Sequence, residues 1–123
     1  MTQREKERNR EDRIVMEAIV DAYGSEEQAM GWYYYLEGKI SFPLKARCER
    51  ERSNSPLYIG EETIVERMAP ENECLREMFV MIQRQGCSLG VPLSQLNAVD
   101  AEEKTVEALG DWHYWVDRGY EFG

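Results

Sequence analysis

The chain has 123 residues, the size of one domain with a modest hydrophobic core. Hydrophobic residues make up 42% and charged residues 32%, so the composition excludes a wholly disordered chain and predicts a fold with a heavily solvated surface. Fifteen basic against 24 acidic side chains give a net charge of −9, which argues against binding to nucleic acid phosphates or to anionic lipid.

Two helices are predicted in the N-terminal third. Residues 1–12 are almost wholly polar and predict a frayed helix start or a mobile tail, with order beginning near Asp12. Apolar side chains then recur at helical spacing over residues 14–23. Ser25, with Gln28 three residues later, has the pattern of a capping box and predicts the start of a second helix, which Gly38 ends.

Short strands are predicted in the centre of the chain. Apolar and polar side chains alternate over residues 40–48, and Pro43 within this run favours an edge strand or a bulge. A hairpin turn is expected at residues 84–86. The segment VPLSQL is typical of a strand that ends in a helical turn. The other predicted strands cover residues 63–68, 78–83, 88–93 and 97–99.

A helix is predicted at the C-terminus. Asp100 and Glu103 have the spacing of a second capping box, and apolar residues recur at helical spacing from Val106 to Tyr120, with Gly110 weakening the middle. The predicted fold class is α+β. We expect a small antiparallel SH3-like β-barrel or rolled sheet, flanked by N-terminal helices and a C-terminal helix, forming a single domain over residues 1–123.

Aromatic residues cluster in the second helix, at residues 32–35, and in the last helix, at residues 112–115. Each cluster covers every face of a helical turn, so some rings must point inward and others outward. We interpret the clusters as packing of the terminal helices over the β unit, with His113 a partly buried hydrogen-bonding group. A role in stacking on a ligand is the alternative.

Most catalytic templates are missing from the sequence. A single histidine excludes a multi-histidine metal site within one chain, and no phosphate-binding glycine loop or G-x-S-x-G element occurs. His113 paired with Cys74 or Cys87 is a formal possibility, but these cysteines lie beside strand-like or acidic segments that tend to raise the pKa of a thiol. We therefore predict that the chain is not an enzyme.

Carboxylates concentrate in short loops at strand and helix junctions. Hard divalent cations prefer oxygen ligands, and calcium takes about 6 to 8 of them from carboxylates, backbone carbonyls and water. The D-x-D-x-D-G loop of EF-hands is missing, so a calcium site would have to be assembled from separate segments. The alternative is that these acids are solvated or complement a helix dipole. The loop candidates are Glu61, Glu62, Glu71, Glu73, Asp100 and Glu102.

The three cysteines and the N-terminal sequence indicate a cytoplasmic protein. Cys48, Cys74 and Cys87 form an odd set without C-x-x-C spacing, which predicts free thiols. The first 13 residues lack the apolar segment of a secretion signal, and no apolar run approaches the roughly 18 residues that span a bilayer. We expect a cytoplasmic location and no membrane partner.

Several sequence strings together resemble one known family. The motifs GWYYYLE, FP, MAPE, VPLSQL and DWHYW occur in this order. In combination, and over residues 12–122, they are similar to the CcbP-type small acidic calcium-binding proteins of cyanobacteria and other bacteria. The resemblance implies a cytoplasmic protein that buffers or responds to calcium, with calcium ions as its ligand and surface acids, without an EF-hand, as its site.

The resemblance also directs attention to Glu37, which follows the tyrosine run. The family tends to place two adjacent acids there, whereas here Glu37 is followed by Gly38. The carbonyl oxygens at a helix C-terminus, together with Glu37, would be available to calcium. The alternative function is a protein-interaction module whose barrel and aromatic surface bind a protein partner, with the acids serving solubility or electrostatic steering.

Overall fold

The computed structural model describes residues 2–123 as three helices packed on a five-stranded antiparallel sheet. The helices are α1 (Gln3–Arg13), α2 (Ser25–Lys39) and α3 (Glu103–Asp117). The strands are β1 (Leu44–Cys48), β2 (Glu62–Met68), β3 (Phe79–Arg84), β4 (Cys87–Pro92) and β5 (Leu96–Ala98). The predicted α+β class is therefore confirmed.

The sheet is open rather than closed into a barrel. Its strand order is β4-β3-β2-β1-β5, and within residues 2–123 the edge strands β4 and β5 do not pair with each other. The closed barrel, one of the two expected forms, is therefore not observed. β1 lies inside the sheet between β2 and β5, so the edge position expected from Pro43 is wrong. The reason is that Pro43 immediately precedes the strand and so removes no ladder hydrogen bond.

The segment Ile14–Ala18 departs from the expected α-helix and forms a π-helical turn. α1 itself begins at Gln3, earlier than the ordered start expected near Asp12, although the mobility of residues 1–12 stays a prediction. Met1 lies outside the described residues. The π-turn ends against α2, where a Cβ on Gly31 would collide with the carbonyl oxygen of Ala18. Glycine is therefore required at this close approach.

Neither expected capping box forms. α2 begins after Gly24 without a side-chain cap, and the side-chain oxygen of Gln28 instead accepts a hydrogen bond from Gly123 N. α3 begins at Glu103, so Asp100 lies too far upstream to cap it. Asp100 adopts a left-handed conformation with a φ of 53°. Apolar periodicity located α2 and α3 correctly, but the proposed caps are wrong.

The hydrophobic core joins the three helices to the inner face of the sheet. Trp32 and Trp112 are completely or almost completely buried, and their ring centroids lie 5.1 Å apart at an edge-to-face angle of 70°. His113 is partly buried, with Nε2 2.7 Å from the carbonyl oxygen of Leu96. Nε2 must carry the proton here, because a carbonyl oxygen only accepts. The interpretation of the aromatic clusters as helix packing is thus confirmed for most of their rings.

α1 is attached to α3 through a buried carboxylate. Asp111 is fully buried and accepts hydrogen bonds from Arg10, Arg13 and the hydroxyl of Tyr35 at 2.6 to 2.8 Å. A Cβ on Gly110 would come within 2.8 Å of the Arg10 guanidinium, so glycine at this position leaves room for the pairing with Asp111. Among residues 2–123, no helix is both long enough and apolar enough to cross a membrane.

Candidate functional site

The seven candidate carboxylates fall into three groups on the surface. One group lies where the end of α2 meets the 3₁₀ turn after β2, a second at the start of β2, and a third in the segment before α3. In that order, the groups contain Glu37, Glu71 and Glu73; Glu61 and Glu62; and Asp100 and Glu102. Their surroundings differ in ways that bear directly on cation binding.

The first group surrounds Tyr34, which is 54% exposed. The Tyr34 hydroxyl donates a hydrogen bond to the carboxylate of Glu71. This hydrogen bond, together with the negative charges of Glu71 and Glu37, raises the pKa of Tyr34 above its ordinary value. Both carboxylates therefore lie within electrostatic reach of a single hydroxyl group. Glu73 belongs to the same 3₁₀ turn as Glu71.

Packing beneath this surface fixes the distance between its two elements. Tyr33 is buried, and its hydroxyl donates a 2.7 Å hydrogen bond to the carbonyl oxygen of Ala69, directly before the turn that carries Glu71. The end of α2 is closed by Ile40 N donating to the carbonyl oxygen of Leu36 at 2.9 Å. The carbonyls of the next two residues, 37 and 38, then have no intrahelical donor, as is usual at a helix C-terminus.

The carboxylates of this first group have no basic neighbour. Within residues 2–123, no lysine or arginine nitrogen lies within 4.0 Å of a carboxylate oxygen of Glu37, Glu71 or Glu73. Three negative charges on two adjacent elements therefore lack local compensation. Each charge raises the attraction of this surface for a cation.

The second group is already neutralised by basic side chains. Glu61 accepts a hydrogen bond from Arg84 Nε at 3.1 Å and another from the backbone of Tyr58 at 3.1 Å. Glu62 pairs with Arg47 at 2.9 Å and with Lys45 at 3.6 Å. These partners lower the pKa of both carboxyl groups. An incoming cation would have to displace an arginine or a lysine, so these two residues remain weaker candidates.

The third group borders a shallow groove between β1 and the start of α3. Glu102 accepts a hydrogen bond from Ser41 Oγ at 3.3 Å and lies 3.8 Å from Lys104 Nζ. Asp100 is exposed, and it lines the same groove together with Lys45. This group therefore offers two acids and a hydroxyl, but also has lysines nearby.

The donor chemistry of the first group fits calcium. Its side chains present only oxygen atoms, which a hard cation prefers. Among residues 2–123, no three side chains of the Asp, Glu, His or Cys type converge closely enough to form a metal cluster. A calcium ion held by Glu37 and Glu71 would therefore complete its shell with backbone carbonyls, a hydroxyl or amide oxygen, and water.

Sequence reasoning missed the two features that separate the groups. It placed Tyr34 among the packing aromatics, although its position three residues before Glu37 puts both on one helix face. It also treated Glu61 and Glu62 as free acids. Their pairing with Arg84 and Arg47 depends on the strand register and on the fold of the β1–β2 loop, which composition does not reveal.

The formal Cys–His pair gains no support from the structure. Cys74 is buried, and burial raises the pKa of its thiol, whereas Cys87 is exposed. Burial lowers the pKa of His113, whose Nε2 is occupied by the carbonyl oxygen of Leu96. All three cysteines are free thiols, as expected.

Comparison with known proteins places these observations in a family. Two solved structures match almost the whole chain: the crystal structure of Anabaena CcbP, with 39% identity and a TM-score of 0.84, and a calcium-binding protein in its calcium-binding form, with 40% identity and a TM-score of 0.80. Each alignment covers 99% of this chain and 100% of the other. No protein with a curated description matches the sequence. The CcbP family model, described as calcium binding, matches residues 12–116, and the chain belongs to this family of calcium-binding proteins.

Proposed function

We propose that this chain is a cytoplasmic calcium-binding protein, acting as a buffer or a sensor, that holds calcium through surface carboxylates and backbone carbonyls from separate segments without an EF-hand. Membership of a calcium-binding family supports the choice of ion. The observation that carries the choice of site is that Glu37 and Glu71, neither with a basic partner, come from two elements, and that both negative charges raise the pKa of Tyr34, which is hydrogen-bonded to Glu71.

The chemistry of such a site is electrostatic. A bound calcium ion supplies two positive charges, which would remove the repulsion between Glu37 and Glu71 and would join the end of α2 to the 3₁₀ turn. Glu73 adds charge from the same turn. Anything that binds the folded state alone raises its apparent stability, so calcium is expected to raise the melting temperature. Asp100 and Glu102 form the next candidate site, weakened by the nearby Lys104.

The net charge of −9 supports calcium over macromolecular polyanions as the ligand. Nucleic acid and anionic lipid surfaces would both be repelled by this excess. We accordingly propose no nucleic acid partner, no membrane partner and no catalytic role for the chain.

A titration with matched variants tests the site. Calcium binding to the unmodified chain is measured by calorimetry and compared with the double variants Glu37→Gln/Glu71→Gln and Glu61→Gln/Glu62→Gln. Both variants remove two negative charges. The first should weaken binding by about tenfold or more, because calcium affinity follows the number of charged ligands. The second should change it by about twofold at most, because its charges are already paired.

Two outcomes would reject the proposal. Equal losses in the two double variants would mean that calcium is attracted only diffusely by the net charge. A flat calorimetric trace with an unchanged melting curve in millimolar calcium would mean that no site exists. Magnesium serves as the ion control, since a flexible site of high coordination number should favour calcium over the smaller ion.

Hydrogen exchange, measured with and without calcium, separates a buffer from a sensor. A sensor must change conformation on binding, whereas a buffer need not. Hydrogen exchange with and without calcium is the direct readout, because it reports the local stability of α2 and of the 3₁₀ turn. Protection confined to these two elements would indicate a buffer, and protection or exposure extending to α1 or α3 would indicate a sensor.

A further inference from the structure

The π-helical turn exposes apolar side chains that neither the core nor the calcium site uses. Val15, Met16, Val20 and Tyr23 lie within nine consecutive residues and are 51%, 67%, 50% and 84% exposed. We call these four residues the 15–23 strip. Elsewhere on this segment Ile14 and Ala18 are buried, so the chain has one inward face and one outward apolar face.

The π-turn carries the first half of the strip. It is closed by Ile19 N donating to the carbonyl oxygen of Ile14 at 3.0 Å. Val15 and Met16 lie within this turn, and Val20 and Tyr23 follow it in the segment that leads to α2. π-turns are rare in proteins and are frequent at functional sites.

Acidic side chains predominate along the segment that carries the strip. Residues 12–27 contain five carboxylates, all exposed, and a single basic side chain, Arg13, which is held by the buried Asp111. Glu17 makes one surface pair with Lys39 at 3.5 Å. Within residues 2–123, no lysine or arginine lies within 4.0 Å of the other four, which are Asp12, Asp21, Glu26 and Glu27.

The charge pattern selects among the possible occupants of this surface. We call the five carboxylates of residues 12–27 the acidic rim. A second copy of the chain, with its own charge of −9, would bring two such rims into contact. An anionic lipid surface would be repelled for the same reason. A helix with an apolar face and lysine or arginine on both sides of it satisfies both the strip and the rim. Met16 adds an adaptable side chain suited to such contacts.

We propose that the 15–23 strip is a docking site for a basic amphipathic helix of a partner protein. The apolar face of that helix covers Met16, Val20 and Tyr23, and its basic residues pair with the acids of the rim. This inference does not depend on the proposed calcium site, because the strip lies on a different element. The surface proposed here for a protein partner therefore differs from the barrel and aromatic surface considered in the sequence analysis.

A designed peptide provides the probe. It contains only leucine and lysine, spans about four helical turns, and carries its leucines on one face. A second peptide has glutamate in place of every lysine. Binding is measured by fluorescence anisotropy of the labelled peptides at about physiological ionic strength. The leucine–lysine peptide should bind, and the leucine–glutamate peptide should not.

Two matched double variants locate the binding. Met16→Gln/Val20→Gln alters the strip, whereas Ile59→Gln/Ile64→Gln alters two aliphatic side chains of similar exposure, 64% and 50%, in the β1–β2 region. The first should weaken binding of the leucine–lysine peptide by about tenfold, as for central contacts of an interface. The second should change it by about twofold at most. Because all four side chains are at least half exposed, both variants should retain the melting temperature and the calcium isotherm.

The rim is tested separately with Asp21→Asn. Asp21 has a φ of 57°, a conformation that asparagine also tolerates well, so the change removes charge without adding strain. It should weaken binding by about twofold to fivefold, less so at high salt.

Three results would overturn the proposal. Equal binding by the two double variants would mean that the peptide is attracted only by net charge. Vesicle binding that Met16→Gln/Val20→Gln abolishes, measured with zwitterionic and with anionic lipid, would assign the strip to a membrane. Dimerisation abolished by the same variant, measured by sedimentation, would assign it to a second copy of the chain.

Discussion

The first group of acids, at the end of α2 and in the 3₁₀ turn, and the second group, at the start of β2, are alike in sequence and opposite in environment. Glu71 is hydrogen-bonded to a neutral hydroxyl group, whereas Glu61 is hydrogen-bonded to the guanidinium of Arg84. Both residues lie in short loops and would attract a cation equally on a count of charges. The comparison teaches that the candidate ligands are the carboxylates without a basic partner, rather than the carboxylates as a class.

The largest effect on stability is expected at Asp111, because its negative charge is fully paired with basic side chains. Asp111 is fully buried and bound to two arginines, so Asp111→Ala leaves Arg10 without this partner and Arg13 with only Glu107, at 3.4 Å. The variant should lose about 3 to 5 kcal/mol of stability, measured by denaturant unfolding. Glu71→Ala, at an exposed residue without a basic partner, should change stability by about 0.5 kcal/mol or less.

Similar losses in these two variants would contradict the distinction between compensated and uncompensated acids. Tyr35→Phe is the control for the neutral part of the cluster. It removes one 2.7 Å hydrogen bond to Asp111 and should cost about 1 kcal/mol.

The next effect concerns the missing second acid after the tyrosine run. A side chain at Gly38 would meet no atom within 4 Å, and this residue does not adopt a positive φ, so replacement is sterically free. Gly38→Asp should strengthen calcium binding by about fivefold to tenfold, because it adds a ligand charge beside Glu37. Gly38→Asn is the matched control, since it has nearly the same shape and no charge.

Calorimetry of the two glycine variants decides this prediction. Both replacements remove a glycine from a helix and should stabilise it slightly, so stability alone does not separate them. If Gly38→Asp and Gly38→Asn bound calcium equally, the end of α2 would not belong to the site.

Apolar periodicity in the sequence was enough to locate most of the helices and strands. Core positions such as Trp32 and Val65 must face inward in any fold that buries them, so their spacing reveals the element. The strands β2, β3 and β4 were each predicted within one or two residues at either end. The open sheet could not be distinguished from a barrel, because closure depends on whether the two edge strands meet.

The environment of the acids was not accessible from the sequence. Glu62 lies opposite Arg47 only because β1 and β2 pair in one particular register. Asp100 was expected to cap α3, but its left-handed backbone and the later start of the helix remove that role. Contacts of this kind depend on distant segments, whereas the helices depend on local spacing. For this reason the fold class could be predicted from the sequence, whereas the ligand set stays a prediction.

Acid pH should affect the second group of acids selectively. The pKa values of Glu61 and Glu62 are lowered by their basic partners, below the ordinary value of 4.5 that they have when unfolded. The stabilisation is therefore fully present above about pH 4.5 and is lost as the pH falls through the lower folded-state pKa values. Arg47→Gln/Arg84→Gln should give a shallower loss of melting temperature with acidification.

Melting curves recorded between about pH 3 and pH 7 measure this difference. Since both pairs are largely exposed, the effect on stability should be small and should shrink further at high salt. If the melting temperature fell equally steeply with decreasing pH in the variant and in the unmodified chain, the role assigned to Arg47 and Arg84 would be contradicted.

The smallest and most local effect is expected at the hydroxyl of Tyr34. Its pKa is raised because the hydroxyl donates to Glu71 and lies near the charge of Glu37. Calcium bound to these carboxylates would weaken both influences and would place positive charge nearby, so the pKa of Tyr34 should fall on calcium binding. Phenolate absorbance during an alkaline titration, with and without calcium, measures the shift, and Tyr34→Phe identifies the residue by removing it. A calcium-dependent shift that persisted in Tyr34→Phe would place the ion away from Glu37 and Glu71 and would remove the basis for preferring this group of acids.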